Sequence, residues 1–416
     1  MTFKYINILK ILSASYILSF IFHNISNSYS IRISEYIFIV ILLFFFYLKI
    51  KKKIDLEFTK IDYLFLMMPS LSLFLYVISN LNFSFLLGFI VITYLFLIYY
   101  IARNIIVIIG LDFFLKLIII LACISSFLGI LGWALSQFEI NNILSINSPY
   151  PFFIGKVSRA SALFTTPSLL AITTIIGIYM LLIFFKENRN ILFYIILLLL
   201  LLGLILTFSK SIILFLTFLV LLIYNKKNYF LLNFLIYLSI IFLIIFHSFF
   251  TSFLIIKNDR NNEWMTSNFI PQQSELVYGN ENIKIIPTNY SYAKLKSIQI
   301  IKDNILTGIG YNQYKNSLPN EYDFLINKSP HSSYLGLFTE FGFLMIIFYI
   351  ILLISVLYIS LKTYNKTNNQ IFILIYYFIF ESLHTDIHTI KLIWIVFAIT
   401  VYLYKNRLNT FNKTIF

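Results

Sequence analysis

Apolar runs of about 17 to 25 residues recur along nearly the whole chain, and each is long enough to cross the hydrocarbon of a bilayer as a helix. Of the 416 residues, 60% are hydrophobic and only 12% are charged, a balance far from that of soluble domains. The bilayer, rather than a water-excluding core, is then the main solvent. The sequence therefore predicts an all-α fold, a polytopic transmembrane helix bundle.

The runs place about twelve spans in the chain. We expect them at residues 5–23, 34–50, 62–79, 82–102, 113–136, 162–185, 191–207, 211–224, 229–253, 333–361, 370–384 and 391–404. Three regions follow: nine helices in 1–253, a large loop in 254–332, and three helices with a tail in 333–416. The first run has a basic start like that of a signal peptide, but no convincing cleavage site follows, so we interpret it as an uncleaved span.

The formal net charge of +14 comes largely from lysines and arginines in the short links between these runs. This is the positive-inside pattern of membrane proteins, so nucleic acid is not an expected partner. Six basic segments then share one side: "KIKKKID", "ARN", "KENRN", "NKKN", "KTYNKTNN" and the C-terminal "KNRLNTFNK". We assign that side to the cytoplasm, with both termini inside and the loop of residues 254–332 outside.

Within the large loop, "SYAKLKSIQIIKDNILTGIG" has apolar residues at helical spacing with lysines between them. The apolar positions are Leu295, Ile298, Ile301 and Ile305. Gly308 and Gly310 follow where a helix would stop. The pattern predicts a short amphipathic helix that lies near the membrane surface.

Ionisable residues in or near a membrane are energetically unfavourable and usually have a functional role. Four sequence features with such residues lie on the predicted outer face. The first is "SRASALFTTPSLLA", where Arg159 lies at the mouth of a span and Pro167 lets the helix start late or kink. Arg159 either snorkels to the interface or acts as an anion clamp, since guanidinium offers forked donors matched to phosphate oxygens.

The second feature is "LTFSKSIILF", in which Ser209 and Ser211 flank Lys210. Lys210 is either a plain interfacial lysine or a phosphate ligand assisted by the serine hydroxyls. The same residues form either a hairpin tip or a break within one long helix. The break would move every later segment to the other side of the membrane, against the basic links.

The third feature is "SPHSSYLGLFTEFGF", which places His331 just before a predicted span and Glu340 over two helical turns inside it. His331 is either a polar surface residue or a general base toward a sugar hydroxyl, because histidine titrates near neutrality. Placing the Glu340 carboxylate in lipid costs free energy unless it is paired or faces a water-filled cavity. It either holds His331 or a cation, or simply faces such a cavity.

The fourth feature is "ESLHTDIHTIK", where His384 and His388 are four residues apart. They could share a helix face as metal ligands, but no third ligand follows at a known spacing, and the alternative is a polar loop that lines a cavity. No P-loop, dinucleotide fingerprint or serine-hydrolase elbow is present, and the first outer loop, "HNISNSYSIR", contains no acidic residue for a metal. We expect neither a cofactor nor a metal.

These motifs together resemble the bacterial O-antigen ligase and O-antigen polymerase superfamily of integral membrane glycan transferases. The stretch around Arg159 looks like the family's run of arginine, small residues, phenylalanine and proline. "LTFSKS" looks like its Thr-x-Ser-Arg-Ser at a span end, and "SPHSSYLGLFTEFGF" looks like its His-Asn-x-Tyr-Leu and later Glu-x-Gly run. "IIKDNILTGIGYNQY" is similar to the segment before that histidine. The likeness covers roughly residues 155–345.

The resemblance implies transfer of an oligosaccharide from undecaprenyl pyrophosphate to an acceptor hydroxyl, without a metal and with inversion of the anomeric carbon. His331 is the implied base, with Glu340 as its companion. Arg159 and Lys210, with the flanking serines, are implied to hold the pyrophosphate leaving group.

The chain also departs from the family pattern. The family usually has arginine at the position of Lys210 and asparagine at the position of Ser332. Its loop arginine falls near Tyr290 here, so that role is vacant or passes to another cation. The candidates are Lys294, Lys296 and Arg260.

The leading hypothesis is a polymerase that joins lipid-linked repeat units on the outer, periplasmic face of the bacterial inner membrane. The alternative is a ligase that moves finished glycan to a lipid A core or a protein. Expected partners are the undecaprenyl-pyrophosphate-linked donor, the glycan or lipid A core acceptor, membrane lipids and a chain-length regulator protein. Two rivals come from other classes: a transporter of lipid-linked saccharide, which predicts charges inside many spans, and a non-catalytic scaffold.

Overall fold

A computed structural model of the chain describes residues 3–22, 32–56, 58–150, 155–185, 189–212, 215, 241–242, 245, 253–257, 278–279, 283–287, 289–317, 329–367 and 371–413. Within these residues the protein is a helical bundle with two small antiparallel sheets. The spans predicted at 211–224 and 229–253 lie largely outside the described residues. Arg260, a predicted pyrophosphate ligand, also lies outside them.

The described helices follow one another along the chain. They are α1 Phe3–Leu18, α2 Ile33–Ile50, α3 Lys60–Ile78, α4 Phe83–Ile109, α5 Leu111–Gln137, α6 Pro167–Phe184, α7 Ile191–Ile205, α8 Asn289–Asp303, α9 Ser333–Thr367, α10 Ile371–Glu381 and α11 Lys391–Lys413. A 3-10 turn, Ser19–Phe22, extends α1.

Seven described helical segments are long and apolar enough to cross a membrane. They are Lys4–Phe22, Ile33–Ile50, Lys60–Ile78, Phe83–Ile109, Leu111–Gln137, Pro167–Phe184 and Ser333–Thr363. Helices α7 and α10 are apolar but shorter. The expectation of a polytopic, helical membrane protein is confirmed, whereas the count of twelve spans and their sidedness stay predictions.

Close helix packing in the centre of the bundle depends on small residues. Helix α5 packs against α6 and α7, where a Cβ added to Gly177 would lie 2.3 Å from the Cβ of Ala122. A Cβ added to Gly203 would lie 2.5 Å from the Cβ of Ser126, and the hydroxyl of Ser126 lies 3.2 Å from that of Thr174. Lipid offers no hydrophobic drive for helices to associate, so such contacts and interhelical hydrogen bonds hold them together.

The helix predicted at 162–185 begins later, at Pro167. Proline suits the first helical position because it lacks an N–H that would be unsatisfied there and its φ is already helical. Thr166 caps the helix, with Oγ1 accepting from the N–H of Leu169 at 3.4 Å.

An antiparallel hairpin precedes this helix, in the link predicted at 138–158. Strand β1, Ser145–Tyr150, pairs with β2, Gly155–Ala160, and Ile146 lies opposite Arg159. A second sheet of strands β3 Phe253–Lys257, β4 Tyr278–Gly279 and β5 Ile283–Pro287, in the order β3-β5-β4, lies mostly within the predicted large loop. These two small sheets add short extended segments to a fold that is all-α, as predicted.

The amphipathic helix predicted in the large loop is α8, but of the four predicted apolar positions only Ile301 is buried. Leu295 and Ile298 are exposed, and Ile305 lies exposed beyond the helix end. The face that packs on α9 buries Ala293 and Ser297, and the hydroxyl of Ser297 lies 2.5 Å from that of Thr339.

Helix α9 is broken at Gly342, whose φ is +77°. The loop after α8 enters the break, where the N–H of Gly310 donates to the carbonyl of Glu340 at 2.9 Å and the N–H of Phe343 donates to that of Ile305 at 2.8 Å. A Cβ at Gly342 would lie 2.1 Å from the carbonyl oxygen of Leu306, so only glycine fits both the φ and the space. The predicted span at 333–361 is thus two helical pieces joined by a loop contact.

Candidate functional site

A single cavity of about 1340 Å³ brings most of the predicted site residues together. The start of α2, the middle of α4, the start of α6, the turn after α7, helix α8 and the link before α11 all contribute to its wall. The predicted residues that line it are Arg159, Ser209, Lys210, Ser211, Lys294 and His331. Glu340 and Lys296 are not among its lining residues.

Arg159 is held against the end of α7. The N–H of Ala160 donates to the carbonyl of Leu206 at 2.9 Å, and Nε of Arg159 donates to the carbonyl of Thr207 at 3.0 Å. These two bonds join the β1–β2 hairpin to the turn that carries Lys210. The guanidinium therefore reaches the cavity from a fixed backbone.

The turn after α7 is built by hydroxyl groups. Thr207 Oγ1 donates to the carbonyl of Leu204 at 2.7 Å and accepts from the N–H of Ser209 at 3.2 Å, while Phe208 takes a left-handed φ of +44°. The Ser209 hydroxyl donates to Ser211 Oγ at 3.2 Å.

Ser211 in turn donates to Oε1 of Glu381 at 2.8 Å. The hydroxyl hydrogens of Ser209 and Ser211 are thereby used within the protein, which differs from the expected role of these serines as phosphate ligands. They hold the turn that presents Lys210.

Lys210 and Lys294 form, with Arg159, the group that we name the cation cluster. Burial, followed by the positive charges of Arg159 and Lys294, lowers the pKa of Lys210 to about 8. Burial also lowers the pKa of Lys294 to about 8, although the carboxylates of Asp386 and Glu381 act in the opposite direction. All three cations line the same cavity, and an anion bound beside Lys210 would offset the repulsion that this lysine experiences from Arg159 and Lys294.

Lys294 and Lys296 lie on different faces of α8. The Nζ atom of Lys294 lies 3.1 Å from Nδ1 of His384, at the cavity wall. Lys296 donates to Oε1 of Gln299 at 3.0 Å on the exposed side of the helix. Of the cations proposed to replace the family's loop arginine, the described residues therefore place Lys294 in the cavity and Lys296 outside it.

His331 lies in a short loop before α9, with a left-handed φ of +50°. Its ring packs edge-on against Tyr290 with 4.4 Å between centroids. Asp386 holds both sides of the loop, because Oδ1 accepts from the N–H of Ser332 at 3.1 Å and Oδ2 accepts from the hydroxyl of Ser329. The histidine is thus positioned by the link between α10 and α11.

Glu340 has a different partner from the one expected. Its Oε1 accepts from the backbone N–H of Asn312 at 2.9 Å, which ties the loop after α8 to the break in α9. The expectation that Glu340 holds His331 is therefore corrected. The physical reason is the helix break, which brings a free backbone N–H to the carboxylate.

The sequence "ESLHTDIHTIK" had two interpretations, a pair of metal ligands or a polar loop that lines a cavity. The structure agrees with the second. His384 and Asp386 line the cavity, whereas His388 is buried elsewhere and burial lowers its pKa to about 4. Within the described part of the chain, no three His, Cys, Asp or Glu side chains converge as metal ligands.

Glu381 and Asp386 are site residues to which the sequence reasoning assigned no role. Glu381 is 1% exposed, lines the cavity, and accepts from both Ser211 and Thr385 at 2.8 Å. The sequence feature that could have identified them is the run of polar residues between two strongly apolar spans. Their hydrogen-bond partners are not predictable from it, because Ser211 lies 170 residues from Glu381.

Comparison with known proteins agrees with the resemblance seen in the motifs. Residues 195–350 match the family model described as O-antigen ligase. This range contains Lys210, Lys294 and His331, and it ends before Asp386. No curated protein matches the chain. The match over residues 195–350 supports the resemblance of the chain to the superfamily of O-antigen ligases and O-antigen polymerases.

Proposed function

We propose that the protein is a polymerase of surface polysaccharide, which joins undecaprenyl-pyrophosphate-linked repeat units on the periplasmic face of the inner membrane. The observation that carries the proposal is the cation cluster of Arg159, Lys210 and Lys294 in one cavity with His331. The match of residues 195–350 to the O-antigen ligase family supports a membrane enzyme that handles lipid-linked glycan. The proposed partners are the lipid-linked donor, a second glycan as acceptor, membrane lipids and a chain-length regulator protein.

The cation cluster would stabilise the leaving group. As the bond between the anomeric carbon and the pyrophosphate oxygen breaks, the electron pair stays on the pyrophosphate. Fixed cations in a partly dry cavity stabilise such developing charge strongly, because they need no reorganisation during the reaction. Arg159 can offer two parallel hydrogen bonds, while each lysine acts as a point charge.

His331 would act as the base. Its imidazole accepts the proton of the acceptor hydroxyl while that oxygen bonds to the anomeric carbon, and direct displacement inverts the configuration. Asp386 acts on this step only through the loop, because its oxygens accept from Ser329 and Ser332 on either side of the histidine. In this mechanism the protein's own cations, rather than a metal, carry the charge.

A ligase is the second candidate, because the matching family model is described as O-antigen ligase. The same cavity chemistry would then move a finished glycan to a lipid A core or a protein. The two functions differ in acceptor, not in the leaving group or the base.

Replacement of His331 by alanine in the producing organism separates these functions. The surface glycan is resolved as a ladder on a gel, and the lipid-linked pool is extracted in parallel. A single repeat with no ladder supports the polymerase, and accumulated lipid-linked polymer with bare core supports the ligase. An unaltered ladder would contradict both.

A further inference from the structure

The segment that follows α10 contacts three separate parts of the candidate site. We name residues 381–386 the α10–α11 turn. Oε1 of Glu381 accepts from the hydroxyl of Ser211, in the turn after α7, at 2.8 Å. Also in the α10–α11 turn, Nδ1 of His384 lies 3.1 Å from Nζ of Lys294. The α10–α11 turn therefore contacts both segments that carry a lysine of the cation cluster.

The third contact of the α10–α11 turn is with the loop before α9, which carries His331. The N–H of Ser333 donates to the carbonyl of Ser382 at 2.8 Å, and the Ser333 hydroxyl donates to the carbonyl of Thr385 at 3.0 Å. These bonds add to those that Asp386 accepts from the same loop. One short turn thus holds the proposed base and the two lysines relative to one another.

Glu381 connects the α10–α11 turn to the turn that presents Lys210. Its side chain is buried, and Oε1 accepts from the hydroxyls of Ser211 and Thr385, each at 2.8 Å. Thr385 fixes the carboxyl group within its own turn, while Ser211 reaches it from the residue next to Lys210. A buried hydroxyl that loses its acceptor must find another one, so removal of the carboxyl group would displace Ser211 and the lysine beside it.

We propose that Glu381 is a positioning residue, which holds Lys210 at the cavity through Ser211 and thereby sets the affinity of the cation cluster for phosphate oxygens. The role depends on an acceptor oxygen, because both contacts of Oε1 are hydroxyl donors. A misplacement of about 1 Å in such a site can cost about 10²-fold in rate. The identity of the anion as a pyrophosphate rests on the proposed function. Glu381 lies outside residues 195–350, which match the family model.

Binding of inorganic pyrophosphate tests the inference without catalysis. The full-length protein in detergent is titrated at about pH 6.5, below the pKa of about 8 of Lys210 and Lys294, and phosphorus NMR measures the dissociation constant. Glu381→Met removes the acceptor at similar side-chain length and should weaken binding about tenfold. Glu381→Gln keeps an oxygen that accepts from both hydroxyls, so its affinity should stay within about threefold of the wild type.

Glu139→Gln is the matched control, because Glu139 is exposed beyond α5 and does not line the cavity. Its affinity should equal that of the wild type. Equal losses in Glu381→Gln and Glu381→Met would assign the effect to charge and would overturn the proposed role of the acceptor oxygen.

Two double-variant comparisons distinguish positioning from a general effect on folding. Because Glu381 acts through Ser211, the variant with both Ser211→Ala and Glu381→Met should bind pyrophosphate as weakly as either single variant. In a Lys210→Ala protein, Glu381→Met should cause no further loss of affinity. A further loss of about tenfold in either background would overturn the inference, since it would show that Glu381 supports the fold independently of Lys210.

Transfer of glycan from the lipid-linked donor tests the proposed function separately. A wild type that binds pyrophosphate but transfers no glycan would contradict the proposed function alone, since the binding measurements still decide the role of Glu381. A wild type that binds no pyrophosphate would overturn the inference, whether or not it transfers glycan.

Discussion

The two halves of α4 lie beside two very different arrangements of buried charge. Near its C-terminal end, Arg103 Nη1 pairs with Asp62 Oδ2 at 2.6 Å, and the Asp62 carboxylate also accepts from Tyr99 and Thr59. Asp62 is fully buried and the Arg103 side chain is 4% exposed. Nearer its N-terminus, α4 lines a cavity shared by Arg159, Lys210 and Lys294.

The difference shows how burial of charge separates a structural from a functional site. At the Arg103–Asp62 pair, the buried carboxylate accepts from Arg103, Tyr99 and Thr59, so its charge is neutralised within the protein. In the cation cluster, burial and then the positive charges of Arg159 and Lys294 lower the pKa of Lys210, and all three cations line a large cavity. The first arrangement stabilises the fold, whereas the second is the site that we propose for an anionic ligand.

Disruption of the Arg103–Asp62 pair should have the largest of these effects, and the effect should be on stability. Asp62→Ala leaves Arg103 buried without its carboxylate, which costs about 3–5 kcal/mol. We expect a large loss of monodisperse protein and a lower Tm in detergent, measured by fluorescence-detected size exclusion and a thermal melt.

The double variant Asp62→Leu with Arg103→Met removes both charges and should recover much of that loss. An Asp62→Ala protein with normal Tm but no transfer activity would show that this pair is functional instead.

Removing one cation from the cluster should instead affect the rate. Lys294→Ala should lower transfer about 10²- to 10³-fold, the usual effect of one preorganised group at developing charge, with little change in Tm. The measurement is product formation from lipid-linked donor by purified protein.

Lys296→Ala is the control for this prediction, because the side chain lies on the other side of α8 and donates to Gln299. Equal activity of the two variants, whether both lost or both retained, would contradict the assignment of Lys294 to the cavity.

The pH dependence of kcat/KM should report the lysines of the cluster. Their pKa values of about 8 mean that each loses its proton, and its attraction for pyrophosphate, as the pH rises through about 8. We expect kcat/KM for the donor to fall above pH 8, by about tenfold per pH unit for each lysine that must be charged.

Lys210→Arg keeps its charge throughout this range, so its profile should fall less steeply. Arg159, His384, Glu381 and Asp386 face the same lysines in both proteins. Identical profiles for the variant and the wild type would exclude Lys210 as the titrating group.

The smallest effect is expected at Glu340. Glu340→Gln keeps an oxygen that can accept from the N–H of Asn312, so activity should stay within about threefold of the wild type, whereas Glu340→Ala loses about 1 kcal/mol of stability. Thermal melts and the transfer assay of both variants check this. A hundredfold loss of rate in Glu340→Gln at normal Tm would restore the idea that Glu340 acts in catalysis.

Local sequence predicted the helices well, because each apolar run specifies its own span. The start of α6 differed because the preference of Pro167 for the first helical position overrides the apolar character of the residues before it. The sequence did not predict the break at Gly342, because a glycine alone does not break a helix and the loop that enters the break lies more than thirty residues earlier in the chain. Residue type at the predicted membrane boundary also identified Arg159, Lys210 and His331 as candidates, and the resemblance to known motifs gave them a shared role.

By itself, the sequence determined that the chain forms apolar helices that cross a membrane, since bilayer thickness requires apolar runs of that length. It also indicated which ionisable residues near the membrane are candidates for a functional role. Only the tertiary structure decided that Lys294 rather than Lys296 faces the cavity, and that Ser211 meets Glu381 170 residues away. The physical reason is that such contacts depend on how helices pack and rotate against one another, and this is a property of the whole bundle rather than of any one segment.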